Sequence, residues 1–164
     1  MARELNILVV ANRTARSESL EDAMRARAQE CPVSFTLVVP VGRGAEARRI
    51  AETMGAHMRE TGLDVRSVVG DADPLRAVLE VYSPAEYDEI IVSTLPAWGS
   101  RWMKSGLPQR IERHTGALVR HVEARVMPAV APAHDAAPGH DPARGHDAAR
   151  GHDAAVAAGA RGAG

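Results

Sequence analysis

Residues 5–11 read Leu-Asn-Ile-Leu-Val-Val-Ala. The stretch is short for a helix, rich in β-branched residues, and apolar at nearly every position rather than at every second one. That combination describes a strand covered on both faces, which implies a parallel sheet with helices on either side. Four more runs follow at regular intervals: residues 33–39 (VSFTLVV), 65–69 (VRSVV), 89–93 (EIIVS) and 118–122 (LVRHV). The second and fourth are almost as continuous as the first. The fifth alternates, with Arg120 and His121 among apolar neighbours, and reads as an edge strand.

Helical patterns fill the intervals. Leu20, Ala23, Met24 and Ala28 form one apolar stripe with Arg27 at its edge, and Ala47, Ile50, Ala51, Met54 and Met58 form the next. Asp73-Pro74 is a start signal, an N-cap followed by proline in the first turn, leading into Leu75, Val78, Leu79 and Tyr82. The last helix starts near residues 105–108, runs to His114 and stops at Gly116. Strand and helix alternating in this way predict a three-layer α/β/α sandwich around a five-stranded parallel sheet, joined by right-handed crossovers.

Composition narrows what such a domain can do. The 164 residues are 45% hydrophobic and 25% charged with a net charge of −1, which is no footprint for nucleic acid or an anionic membrane. No run approaches the roughly 18 apolar residues of a membrane span. The one cysteine, Cys31, excludes an internal disulfide framework and reads as a buried structural thiol. A cytoplasmic protein is expected. The composition breaks near Met127, and from His134 the pair His-Asp recurs every six residues through His152-Asp153. A period of six fits neither helix nor strand, so residues 1–126 are read as the domain and 127–164 as a disordered low-complexity tail.

In open parallel sheets ligands bind beyond the carboxyl ends of the strands, where strand order reverses. This selects the loops at residues 12–19, 40–44 and 94–106. The third is the most informative. Residues 93–108 read STLPAWGSRWMKSGLP and hold both tryptophans, Trp98 and Trp102, and the only lysine, Lys104. Ser93, Thr94, Ser100 and Ser105 supply hydroxyls, Gly99 and Gly106 allow close backbone approach, and Arg101 adds charge. These are the ingredients of an anion site ahead of a helix N-terminus.

With Gly70-Asp71 closing the third strand and Tyr87-Asp88-Glu89-Ile90-Ile91-Val92-Ser93-Thr94 forming the fourth, residues 5–122 resemble the universal stress protein family. The resemblance implies a Rossmann-like sheet of order 3-2-1-4-5 and a regulatory module, not an enzyme, that binds ATP or another adenine nucleotide, with or without Mg²⁺. It implies a base near Asn12 and Val39, with Thr14 beside it. Phosphates would lie at Ser93, Thr94, Gly99, Ser100 and Arg101, with Trp98 and Trp102 as lid or wall. A homodimer through the edge strand is expected, without nucleic-acid or membrane partners. Nucleotide-binding members carry an aspartate after strand one and a Gly-x2-Gly-x9-Gly-Ser/Thr motif after strand four. Here Asn12 stands in place of the aspartate, Ser93-Thr94-Leu95-Pro96 replaces the first two glycines, and no glycine register is expected to fit. These departures motivate the alternative, an interaction protein whose pocket is vestigial.

No residues are expected to be catalytic. Gly-x-Gly-x-x-Gly, Walker and Gly-x-Ser-x-Gly motifs are missing. Asp71 and Asp73 have the oxygen chemistry for Mg²⁺, but Asp73 is already claimed as a helix cap, and no metal site is expected. His57 is expected to border the core beside Met54 and Met58.

Overall fold

The computed structural model describes residues 3–96 and 98–125, all within one compact unit, Met1–Ala129. The tail expected at 127–164 lies outside the described residues.

Five strands, β1 (Leu5–Val10), β2 (Val33–Pro40), β3 (Val65–Gly70), β4 (Glu89–Thr94) and β5 (Leu118–Glu123), form one sheet of order β3-β2-β1-β4-β5. Every pairing is parallel, from Leu5 opposite Val33 to Thr94 opposite Glu123. The helices are α1 (Glu18–Glu30), α2 (Ala45–Glu60), α3 (Pro74–Val81), the single turn α4 (Arg101–Lys104) and α5 (Leu107–Thr115). The fold class and strand order are those expected. The turn α4 was not anticipated: its four residues are too few for a periodic signal, and Ser100, which caps it, reads equally well as loop.

The continuous apolar runs have a direct cause. Ile7, Val9 and Ala11 point to a core with Leu20 and Met24 of α1 and Ala51 and Met58 of α2. Leu8 and Val10 point the other way, to Leu75 and Val78 of α3 and Leu107 and Ile111 of α5. Each fully buried aliphatic side chain contributes roughly 1.5–3 kcal/mol of transfer free energy, so alternate residues of one strand hold both helical layers in place.

Local signals set the helix ends. Ser17 caps α1, its hydroxyl accepting from the Leu20 amide at 3.3 Å, and Asp73 caps α3 by accepting from the Arg76 amide at 3.0 Å. Gly116 ends α5 at φ 67°, a left-handed conformation that suits glycine. Arg27, at the edge of its stripe, reaches β4 and grips Glu89, which is only 1% exposed. Cys31 corrects an expectation. As the residue that terminates α1 it is half-buried rather than buried, its Sγ 3.9 Å from the Arg27 carbonyl, because a helix exit seldom reaches the core.

Candidate functional site

Strand order reverses between β1 and β4: the chain leaves β1 toward β2 on one side, while β4 and β5 lie on the other. The loop leaving β1 and the loop leaving β4 therefore diverge and leave a crevice between them. It is lined from the β1 side by Asn12, Arg13 and Thr14, from the end of β4 by Ser93, Thr94 and Leu95, and from the approach to α4 by Gly99, Ser100, Arg101 and Trp102. Its volume is about 150 Å³. That is below the roughly 300–1,000 Å³ of pockets that enclose a drug-sized ligand. It has room for a group about the size of a phosphate.

The walls are fixed by hydrogen bonds. Thr14 Oγ1 donates to the Ser93 carbonyl at 3.1 Å, tying the β1 loop to β4, and Asn12 Nδ2 donates to the Pro40 carbonyl at 3.4 Å. Ser100 Oγ accepts from the Met103 amide at 3.2 Å, and the Ser105 hydroxyl donates to the Trp102 carbonyl at 2.9 Å. Thr94 Oγ1 and His121 Nε2 are 2.7 Å apart, so the edge strand β5 holds that hydroxyl. Ser93 differs from all of these. It is fully buried, and its Oγ is the one buried side-chain polar atom without a partner among the described residues. Leaving such a group unpaired costs about 1–3 kcal/mol.

The electrostatics are one-sided. Arg13 and Arg101 both line the crevice, and none of its ten lining residues is a carboxylate. Neither arginine pairs with an acid among the described residues. A larger groove, about 550 Å³, opens at the amino ends of the strands, but its lining includes Asp64 and Glu86. Its polar groups already pair, Ser34 Oγ with Asn6 Oδ1 at 2.8 Å and Arg66 Nη2 with the Tyr87 hydroxyl at 3.3 Å.

Of the expected site residues, Asn12, Thr14, Ser93, Thr94, Gly99, Ser100, Arg101 and Trp102 come together in the crevice. Val39 does not. It is fully buried in the core on the α1/α2 side, because helices cover both faces of this strand. Trp98 does not line the crevice either and stands 77% exposed. The expectation of an anion site at the start of the last helix also shifts. The lining stops at Trp102 in α4, and Gly106 and Leu107 at the head of α5 are not part of it. Arg13 and Leu95 were missed. Arg13 follows Asn12 directly, so the strand-end rule that selected Asn12 could have found it.

Among the described residues no group of three or more His, Cys, Asp or Glu is placed to hold a metal ion. Asp71 Oδ1 accepts from the Asp73 amide at 2.8 Å, so both aspartates of that loop are committed to its shape. His57 pairs with Glu21 at 3.1 Å between α1 and α2, away from the crevice. Counted from Ser93, the Gly-x2-Gly-x9-Gly-Ser/Thr pattern places Ser93, Pro96, Gly106 and Leu107 at its fixed positions. Of those four positions only Gly106 agrees with the pattern, so no register fits. Gly106 holds φ 63° at the head of α5, where a side chain would be strained.

No protein-family model matches the chain, and no curated protein does. Solved structures do. One is a universal stress protein in complex with cAMP, at 17% identity and a TM-score of 0.53 over 76% of this chain and 100% of that one. Another is the universal stress protein from Archaeoglobus fulgidus in complex with dAMP, at 12% identity and a TM-score of 0.53 over 74% and 99%. The likeness is one of fold.

Proposed function

From a chain with the universal stress protein fold, we propose a small-ligand-binding regulatory module whose ligand is an adenine nucleotide, held by its phosphate end in the crevice between β1 and β4. The observation that carries this reading is a crevice at the reversal of strand order lined by two arginines and four hydroxyl residues and by no carboxylate. Both structural neighbours described above were solved with an adenine nucleotide. Binding without turnover is the proposed role, since the lining offers no carboxylate, histidine or thiol to activate a water. The same reading takes the module as a cytoplasmic homodimer paired through β5, an edge strand whose Leu118 is 63% exposed. No helix among the described residues is long and apolar enough to cross a membrane.

A second reading, an interaction protein with a vestigial pocket, draws on the exposed Trp98 and on Pro96 and Leu107 at motif positions. A titration with ATP, followed by tryptophan fluorescence and by calorimetry, separates the two. The nucleotide module gives saturable binding that weakens about tenfold or more in Arg101→Ala, the weight of one charge-assisted hydrogen bond. Silence in both measurements favours the interaction protein.

A further inference from the structure

The crevice is lined by two arginines and by no carboxylate. Nucleoside polyphosphates are usually held with a divalent cation, which needs hard oxygen ligands and is bound through one or two carboxylates besides the phosphates. Here Asn12 and Thr14 bring only neutral polar groups, and the charged residues of the lining are Arg13 and Arg101. The paired aspartates Asp71 and Asp73 lie outside the lining and are spent on the α3 cap. Two guanidiniums without acidic partners among the described residues, one on the loop after β1 and one after β4, repel a cation and attract the oxygens it would otherwise cover.

We infer that the crevice takes its phosphorylated ligand free of divalent metal, with Arg13 and Arg101 supplying from its two walls the positive charge that Mg²⁺ would supply elsewhere. This rests on the nucleotide-binding reading above. It makes Arg13 a specificity residue: a ligand phosphate between the loops contacts a guanidinium from each side. The planar fork of arginine suits such oxygens bidentately, and each added negative charge on the ligand strengthens both contacts.

The test is calorimetric titration of the full chain with ATP at matched ionic strength, once in EDTA and once in saturating Mg²⁺. The expected result is tighter binding in EDTA. Arg13→Gln should weaken the metal-free complex about tenfold and bring the two conditions close together. Asn12→Asp gives up the 3.4 Å hydrogen bond to the Pro40 carbonyl but places a carboxylate in the lining, and should shift the preference toward Mg²⁺. Binding that is tighter with Mg²⁺ in the wild type overturns this inference and leaves the nucleotide reading standing. An unchanged ratio in Arg13→Gln removes Arg13 from it. Absence of binding in both buffers overturns the nucleotide reading and the inference together.

Discussion

Glu89 brings a carboxylate to the start of the interior strand β4 with 1% of its surface exposed. Arg27 from α1 reaches its Oε2 with Nε at 3.1 Å and Nη2 at 2.5 Å, and Arg120 from β5 reaches Oε1 at 3.0 Å. The hydrogen bond to Glu89, and next that to Glu30, raises the Arg27 guanidinium above its ordinary value. The contribution of a raised basic group is complete below its unfolded value and is lost as pH climbs from there through its folded one. The clamp is therefore intact throughout the neutral range. Glu89→Ala leaves the side chain of Arg27, 18% exposed, without its main partner. The expected loss is about 3–5 kcal/mol in urea unfolding, the cost of breaking one side of a buried pair. A loss below about 1 kcal/mol would show that water replaces the carboxylate. The sequence showed Arg27 at the edge of a stripe and Glu89 at the head of a run, but not that they meet. Their separation of 62 residues leaves no local signal.

At the level of elements, α3 lies against the sheet only because Gly70 ends β3. A Cβ at Gly70 would stand 2.4 Å from Ala77 Cβ and 3.1 Å from Val38 Cγ1. Neither neighbour can swing away, one being a helix methyl and the other fully buried. Gly70→Ala is expected to lift α3 and cost about 1–3 kcal/mol, seen as a lowered midpoint in chemical denaturation. An unchanged midpoint would mean that the helix slides along the sheet freely. The elements that were legible in advance share a cause: their signals are local. The strands announce themselves by continuous apolar residues, α3 by Asp73-Pro74, and the end of α5 by Gly116. The turn α4 has four residues and no periodicity to read. In the crevice, the strand-end rule located Asn12, Thr14, Ser93 and Thr94. Val39 lies outside the lining because it is still within β2, where helices cover both faces, and the rule does not say at which residue that cover stops.

Across the whole molecule, the sheet, both cores and the crevice draw on residues up to Arg125, whose amide donates to Ser19 Oγ at 3.0 Å. A chain ending after Arg125 is expected to keep its melting temperature to within about a degree in calorimetry. A drop of several degrees, about 1 kcal/mol or more in a domain of this size, would show that later residues pack on the domain. Cys31 stands immediately before β2 at the amino end of the sheet, and Trp102 lines the crevice at the carboxyl end. A strand of eight residues separates those ends by roughly 25 Å. The wild-type chain thus contains a molecular ruler: one thiol for an acceptor dye and, beyond the other end of the strand, the indoles as energy-transfer donors. The sheet fixes the baseline of that ruler, so a change in transfer efficiency on adding a ligand measures movement of the loop that carries the tryptophans.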